Sequence, residues 1–391
     1  MDILIITPLY YISGREKLFR DTNAVHYLVR TWAKTHRVFV VNVYFESMRR
    51  VKRYVDRQER RYFREGYFYD IDNVSVVLIE VVKKIKAFPT LTDQQSEKVY
   101  KIVEKWMKKN QIKPAMVISH IPSTTFRLVR KLPSYIYKAA VMHATDMRYF
   151  RDEGHLQNIK SIYNDYFCRS LNIYQYFEEM GLNNLNSDLI FSGVPICHYS
   201  IKELKKSQRY HILYAGKLIP LKNLNIVIEA LSSLSSDIPY LFDIYGNGSE
   251  EKKLRKLVKK NRMEDKVTFH SFVPREQLFK IMEEADIFVM PSEPETFGLV
   301  YLEAMSRGCI TIGTRGQGID GIIIDGKNGF LVESKNVDEL KEIFEYIFGM
   351  KEEKYLDMQI KAIETGQEYN EEDMGNRYLK LVLKARENGC S

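Results

Sequence analysis

The chain has 391 residues, of which 45% are hydrophobic and 28% charged, a composition typical of a globular protein with more than one core. Its apolar runs are too short to cross a membrane, and its first residues lack the basic start and long apolar segment of a signal peptide. The four cysteines form no pair with metal-ligand spacing, so we expect reduced thiols and no disulfide framework. A net charge of +8 favours an anionic partner.

Strands and helices alternate along the first half of the chain. Short apolar runs predict strands at 3–7, 37–43, 74–82, 115–119, 138–142 and 189–191, and helical periodicity predicts helices at 23–34 and 98–110. Such alternation predicts a parallel sheet with helices on both of its faces.

The second half repeats this rhythm after a polar, lysine-rich stretch at 197–208, which we interpret as a linker between domains at 1–198 and 199–391. Its predicted strands lie at 212–215, 240–245, 267–272, 287–290, 309–313 and 329–332. Its predicted helices lie at 224–234, 250–261, 275–284, 298–306, 337–348 and 376–385. Together the two halves predict two Rossmann-like domains.

The loop after the fourth of these later strands contains Glu295, and the helix that follows contains Glu303. The amides of Phe297, Gly298 and Leu299 begin that helix, where unpaired N–H groups and the helix dipole favour an anion. Two carboxylates that accept from hydroxyl groups, placed around an anion-binding helix end, suit a nucleotide-sugar. A solvated helix residue and an ordinary loop charge would explain the two glutamates alone equally well.

Three further motifs follow predicted strands of the second half. They are Gly216-Lys217 with Lys222, Gly246-Asn247-Gly248, and the run from Asp325 to Val332. With the two glutamates, and in this order, they resemble the nucleotide-binding domain of retaining glycosyltransferases of family 4 (glycosyl transferases group 1), which have the GT-B fold. The resemblance is specific over residues 212–332 and loose over the first half.

The resemblance implies that Lys217 and Lys222 hold the diphosphate of the donor. The family usually has arginine where Lys217 stands, so this chain would offer a point charge in place of a planar fork. Fixed cations and helix amides can stabilise the charge of a leaving diphosphate without a metal. We therefore expect no metal and no other cofactor.

The resemblance also assigns roles to the remaining donor-site residues. Glu295, with the amides of Phe297 and Leu299, would bind the transferred sugar. Glu303 would accept hydrogen bonds from the ribose hydroxyls. Gly246 would belong to the glycine turn of the donor site, although an ordinary turn glycine explains it equally well.

In the first half, His143 ends a predicted strand and Asp146 follows three residues later. His143 resembles the family's histidine that faces the donor sugar from the acceptor side, where an imidazole can bond a sugar hydroxyl. His120 ends the preceding strand and is a weaker candidate than His143. A buried structural histidine is at least an equally good explanation of it. Gly14, with Asp146, is our candidate for acceptor or phosphate contacts; family members often carry a Gly-Gly pair in that first loop.

The resemblance implies an α/β protein of the GT-B class, in which two Rossmann-like domains face each other across a cleft. It implies transfer of a hexosyl unit from a nucleotide-sugar, expected to be UDP-linked, to a glycan or lipid-linked acceptor with retention of configuration. Cell-surface polysaccharide biosynthesis is the commonest setting of such enzymes, and we expect a cytoplasmic protein.

Two other functions stay open at this point. A nucleotide-sugar epimerase or phosphorylase could use the same fold. Nucleic-acid binding would fit the net charge and the basic, aromatic segment 49–64, but this segment lies outside the matched region, so we expect no nucleic acid. The same segment suggests a helix on the anionic inner face of the membrane, although a solvated helix explains it nearly as well.

Overall fold

The computed structural model describes residues 1–10, 24–47, 65–83, 88–151, 153–195 and 206–389. The chain forms two compact units. The first unit comprises residues 1–169, 173–193 and 371–391, and the second comprises residues 170–172 and 194–370. Each unit contains one largely parallel sheet with helices, which confirms the predicted α/β class.

The sheet of the first unit has seven strands in the order β3-β4-β2-β1-β5-β6-β7. They are β1 (Asp2–Thr7), β2 (Arg37–Ser47), β3 (Tyr67–Ile71), β4 (Val74–Lys83), β5 (Pro114–His120), β6 (Tyr137–Met142) and β7 (Asp165–Cys168). Neighbours pair in parallel except β3, which runs antiparallel to β4. All six residues of β1 are buried, as expected of a strand covered on both faces.

The helices of this region are α1 (Ala24–Trp32), α2 (Asp93–Lys109), α3 (Pro122–Val129), α4 (Ala144–Tyr149), α5 (Glu153–Lys160), α6 (Leu171–Glu179) and the terminal α13 (Glu371–Gly389). The predicted helix at 376–385 lies within α13, so it belongs to the first unit and not to the second as the division at residue 198 had it. The indole N–H of Trp32 in α1 donates to the carbonyl oxygen of Gly375 at 2.7 Å, and its ring packs edge-on against Tyr378. These buried contacts hold α13 against α1.

The sheet of the second unit has six strands in the order β10-β9-β8-β11-β12-β13, all paired in parallel. They are β8 (Tyr210–Ala215), β9 (Tyr240–Tyr245), β10 (Val267–His270), β11 (Ile287–Val289), β12 (Ile310–Thr314) and β13 (Phe330–Val332). The helices are α7 (Leu224–Ser232), α8 (Glu251–Lys260), α9 (Arg275–Glu284), α10 (Leu299–Met305), α11 (Val337–Gly349) and α12 (Glu352–Glu368). In the part of the chain that the structure describes, no helix has the length and apolarity needed to span a bilayer.

The strand predicted at 189–191 is wrong, because these residues have an irregular conformation. The N–H of Ile190 donates to the carbonyl oxygen of Cys168 at 2.9 Å, next to the end of β7, but no ladder develops there. No prediction covered α3 to α6, α12, or the short strands β3 and β7. In β3, half-buried positions alternate with exposed ones at a sheet edge, so the apolar run that predicts a buried strand is absent.

The order of the second sheet has one topological switch point. The chain runs outward from β8 through β9 to β10, and then returns to the other side of β8 as β11. The loops that leave β8 and β11 therefore start from neighbouring strands and diverge. Open α/β sheets bind ligands at such a point, beyond the carboxyl ends of the strands.

Candidate functional site

Backbone and side-chain bonds join the two loops at the switch point of the second unit. The N–H of Glu293 in the loop after β11 donates to the carbonyl oxygen of Leu221 in the loop after β8, at 2.8 Å. The side-chain amide of Asn223 donates to the carbonyl oxygen of Pro291 at 3.0 Å. The positions of the side chains on these two loops are therefore fixed relative to each other.

The two loops also carry an ion pair between a predicted phosphate ligand and a predicted sugar ligand. Nζ of Lys222 lies 2.6 Å from Oε2 of Glu295, and the two side chains are only 20% and 15% exposed. The hydroxyl of Ser292 donates to the same oxygen at 3.2 Å, and the N–H of Glu295 donates to the side-chain oxygen of Gln317 at 2.9 Å. The sequence named both charged residues but gave no sign that they would contact each other.

The predicted glycine turn lies after β9 and packs against the loop after β8. Gly246 has a φ of 147°, and a Cβ there would lie 1.8 Å from the carbonyl oxygen of Gly216. A Cβ on Gly248 would lie 2.0 Å from the carbonyl oxygen of Leu218, whose N–H in turn donates to the carbonyl oxygen of Asn247 at 3.0 Å. Close approach of two backbones therefore requires both glycines.

Lys217 follows β8 in the same loop, and its side chain is exposed. Its carbonyl oxygen accepts a hydrogen bond from the buried hydroxyl of Tyr214 at 2.9 Å, which fixes the backbone from which the side chain extends. The structure thus assigns Lys217 and Lys222 to one loop at the switch point, as the sequence predicted.

The helix that follows β11 begins where the sequence predicted. Gly298 precedes α10 with a φ of 75°, and a Cβ there would lie 2.4 Å from the ring of Tyr301. The hydroxyl of Tyr301 donates to the carbonyl oxygen of Met290 at 2.5 Å, which holds α10 against the end of β11. Phe297 is buried just before this turn, and Leu299 is the first helical residue.

Glu303 lies in α10 and is only 6% exposed. Its Oε1 forms an ion pair with the guanidinium of Arg275, at the start of α9. Burial raises the pKa of Glu303, while the guanidinium groups of Arg275 and Arg307 act in the opposite direction. The sequence predicted the carboxylate but missed Arg275, because a single arginine at the start of a helix carries no signal of a partner 28 residues away.

In the first unit, Asp146 holds the backbone around His143. One carboxylate oxygen accepts the N–H of His143 at 2.7 Å, and the other accepts the N–H of Ser123 at the start of α3, at 2.9 Å. Burial raises the pKa of Asp146 to about 7. The carboxylate therefore links the end of β6 to α3, which is a structural role that the sequence did not predict.

His143 also belongs to a chain of three hydrogen-bonded rings. Its Nε2 lies 3.2 Å from Nδ1 of His120, and Nε2 of His120 lies 3.1 Å from the hydroxyl of Tyr378 in α13. Burial, with the nearby Arg169, lowers the pKa of His120 to about 3, and burial also lowers the pKa of His143 well below its usual value. A bond between two ring nitrogens needs one N–H and one lone pair, which two neutral imidazoles provide.

The remaining predictions concern the cysteines, a metal site, and residues that lie outside the described ranges. Gly14 and the basic segment 49–64 lie outside the described residues. Cys168 and Cys309 are buried free cysteines, and Cys197 and Cys390 lie outside the described residues. Over the described ranges, no group of three or more His, Cys, Asp or Glu side chains is arranged to hold a metal ion.

Comparison with known proteins gives matches in sequence and in structure. Residues 198–365 match the family model described as glycosyl transferases group 1. The D-inositol 3-phosphate glycosyltransferase of Arthrobacter sp. (strain FB24) is 33% identical over 145 residues, which cover 36% of this chain and 34% of that protein. The matched segment thus spans about a third of the length of this curated relative.

Two solved structures match nearly the whole chain. One is Anabaena Alr3699/HepE in complex with UDP-glucose, with a TM-score of 0.67 at 15% identity, covering 98% of this chain and 100% of that one. The other is the apo form of the lipopolysaccharide outer core galactosyltransferase WaaB, with a TM-score of 0.66 at 13% identity, covering 98% and 99%. At this level of identity the likeness shows the fold. Residues 198–365 therefore resemble the glycosyl transferases group 1 family, and the two α/β units have the fold of the GT-B class.

Proposed function

We propose that the protein is a retaining glycosyltransferase that moves a hexosyl unit from a UDP-linked sugar to a glycan or lipid-linked acceptor. The observation that carries this proposal is the Lys222–Glu295 pair on the two loops of the switch point, inside the segment that matches the family. The names of the similar proteins support it, because they include a glycosyltransferase, a galactosyltransferase and a complex with UDP-glucose.

Lys217 and Lys222 bind the diphosphate in this proposal. Both follow β8, so their cations can meet the pyrophosphate at the carboxyl end of the sheet. The glycosidic bond breaks as negative charge develops on the leaving diphosphate, and fixed cations stabilise that charge most at the transition state. These residues can therefore serve the reaction without a metal.

The two glutamates bind the two hydroxyl-bearing ends of the donor. Lys222 and Ser292 occupy Oε2 of Glu295, which leaves Oε1 to accept hydroxyl groups of the transferred sugar. Arg275 occupies Oε1 of Glu303, which leaves Oε2 for the ribose hydroxyls. Carboxylates held in this way accept hydrogen bonds at fixed positions, which favours one orientation of the donor.

We infer that the acceptor attacks the sugar from the face that the diphosphate leaves, and that a phosphate oxygen of the leaving group takes the acceptor's proton. This route gives retention without the carboxylate nucleophile of retaining hydrolases.

His143 binds a hydroxyl of the donor sugar in this proposal, and Asp146 holds its backbone. A neutral imidazole suits a hydroxyl group, since it can donate or accept one hydrogen bond.

We further propose that the enzyme takes part in the biosynthesis of cell-surface polysaccharide, and that it does so in the cytoplasm, on the inner face of the membrane. Attachment there would make the protein sediment with anionic liposomes at low salt and remain in the supernatant at high salt.

Binding and product analysis test the donor site together. Lys222→Met should raise the Kd for UDP about 10- to 100-fold, because a hydrogen bond to a charged group contributes about 1.5–3 kcal/mol. Lys256→Met, on the exposed surface of α8, is the matched control and should leave this Kd unchanged. Glu295→Gln should reduce turnover about 100-fold, because it removes the carboxylate that positions the sugar. It should change the UDP Kd less than about threefold, because the glutamine oxygen can still accept from Lys222.

The anomeric configuration of the first product, followed by NMR, tests the reaction class. Retention is expected, and turnover should persist in the presence of a chelator. An inverted product would overturn the retaining mechanism. An epimerised nucleotide-sugar, or a free sugar phosphate, would instead assign the protein to one of the two other activities that this fold can support.

A further inference from the structure

The cluster around Glu303 contains two arginines that use different parts of that residue. Arg275 contacts the carboxylate, whereas Arg307 donates to the carbonyl oxygen of Glu303 at 3.0 Å and to the hydroxyl of Ser306 at 2.9 Å. The guanidinium of Arg307 also lies 3.7 Å from the centre of the Phe279 ring. Arg307 therefore supports the end of α10 and the packing of α9, whereas Arg275 holds the acidic group.

The environment of this carboxylate makes the contact consequential. A carboxylate with 6% of its residue surface exposed loses most of its hydration, and a buried carboxyl without a cation becomes protonated instead. A protonated carboxyl has one oxygen that donates, so it no longer presents two acceptors. An ionised carboxylate whose Oε1 is engaged still presents Oε2 as a fixed acceptor.

The chemistry of a nucleotide fits this remaining acceptor. A ribose presents two neighbouring hydroxyl donors, and a buried ionised oxygen distinguishes a hydroxyl from a hydrogen atom more strongly than a solvated one does. We propose that Arg275 is a positioning residue of the donor site: it holds Oε1 of Glu303, so that Oε2 accepts the ribose hydroxyls and selects ribonucleotides over 2′-deoxyribonucleotides. This inference rests on the proposed function, because it assumes that the site binds a nucleotide.

Few charged groups influence the pKa of the Glu303 carboxyl, so removal of one of them should change that pKa clearly. The elements packed against α10 include α9, α12, β12 and the end of β11. Arg275 from α9 and Arg307 at the end of α10 act on its carboxyl group, and no described charged side chain of α12, β11 or β12 does so. Burial already raises the pKa of Glu303 with both arginines present, so loss of Arg275 should raise this pKa further and keep the carboxyl protonated over a wider range of acid pH.

The test compares UDP with 2′-deoxy-UDP by calorimetry between pH 5.5 and 8.5. Both ligands carry the same diphosphate, so the ratio of their Kd values cancels the titration of the phosphate. The native protein should prefer UDP about tenfold or more at every pH, as expected for a buried hydrogen bond to a charged group. In Arg275→Met the ratio should approach one at pH 5.5 and recover toward pH 8.5.

Two further variants separate positioning from a general structural role. Arg275→Lys keeps a cation but loses the planar fork, so it should give an intermediate ratio that does not depend on pH. Glu303→Gln should give a ratio near one at every pH, and adding Arg275→Met to it should change nothing further. The guanidinium of Arg275 lies 5.4 Å from the centre of the Phe279 ring. Arg255→Met is the matched control, since Arg255 also pairs with a glutamate and lies over a phenylalanine ring, but on the exposed surface of α8.

Each outcome decides the inference. A native ratio in Arg275→Met at all pH values would overturn it, and so would an equal, pH-independent loss of affinity for both ligands. If Arg275→Met does not fold, a ratio in Arg275→Lys equal to that of the native protein at every pH would overturn it as well. If the native protein binds neither UDP nor 2′-deoxy-UDP, the proposed function itself fails, and the inference fails with it.

Discussion

The candidate residues of the two units differ in their charge. Those of the second unit form ion pairs, Lys222 with Glu295 and Arg275 with Glu303. The histidines of the first unit form a neutral, buried chain that ends at Tyr378. Under the proposed function, the fixed charges of the second unit would bind the diphosphate and ribose of a donor, whereas the neutral rings of the first unit would bind a sugar hydroxyl.

The two regions also differ in how their parts reach each other. In the second unit the charged loops leave neighbouring strands and are held by backbone contacts, including the close approach of Gly246 to Gly216. In the first unit the chain of rings depends on α13, because Tyr378 lies 258 residues beyond His120 in the sequence. The arrangement in the second unit depends on local loop geometry, whereas the arrangement in the first unit depends on a long-range contact with a helix.

Breaking the backbone contact of the second unit should have the largest effect. Gly246→Ala would place a Cβ 1.8 Å from the carbonyl oxygen of Gly216, so one backbone must move. We expect a loss of about 3 kcal/mol or more in the free energy of unfolding, at the upper end for overpacked sites. Chemical denaturation measures it. Gly349→Ala is the control, because beyond its own helix and chain neighbours no atom lies within 4 Å of the position that the added methyl group would take, and stability should not change.

This contact also shows what the sequence could predict. The donor loops were predictable because glycine, lysine and glutamate stand at the ends of apolar runs, and the ends of parallel strands share one edge of a sheet. The order of motifs then gave the resemblance to the glycosyl transferases group 1 family. Gly246 was predictable as a turn glycine, but its packing against Gly216 was not, because that contact depends on the spacing of two backbones.

The first unit was less predictable for a physical reason. His120 and His143 follow strands, so their common edge could be inferred, but nothing in the local pattern joins them to Tyr378. Tyr378 has the spacing of an ordinary core residue on a late helix, and the sequence assigned that helix to the other domain. Arg275 was missed for the same reason, since no local sequence pattern shows which cation contacts a buried carboxylate in the folded chain.

Removing the hydroxyl of Tyr378 should have an intermediate effect. Tyr378→Phe leaves Nε2 of His120 without its bond inside the core, and an unsatisfied buried polar group costs about 1–3 kcal/mol. Thermal or chemical unfolding measures this loss. Tyr174→Phe removes a hydroxyl that bonds Glu178 on an exposed helix, so its stability should match that of the native protein. Equal stability of the two variants would show that the ring chain contributes nothing to the first unit.

The smallest effect should come from two histidines that share one carboxylate, in contrast to the histidine pair of the first unit, which bond to each other. In the second unit, Nε2 of His211 lies 2.7 Å from one oxygen of Asp243, and Nε2 of His270 lies 2.8 Å from the other. The hydrogen bond to Asp243 raises the pKa of His211 above 6.5, its ordinary value. Burial raises the pKa of Asp243, but the hydrogen bonds from the two histidines outweigh burial and lower it.

The sign of the pH dependence follows from these directions. Because the pKa of His211 is higher in the folded state, its pair with Asp243 stabilises the fold fully below pH 6.5, and this contribution is lost as the pH rises through the raised pKa. Both side chains are partly exposed, so we expect no more than about 1 kcal/mol. Denaturation at pH 5.5 and pH 8.5 should show the native protein losing more stability on alkalinisation than Asp243→Asn does. Asp237→Asn is the control, because Asp237 is exposed and accepts a hydrogen bond from the hydroxyl of Ser235 and not from a histidine. Its loss of stability on alkalinisation should equal that of the native protein. If Asp243→Asn also follows the native protein, His211 is not charged in the folded state, and the contrast between the histidines of the two units disappears.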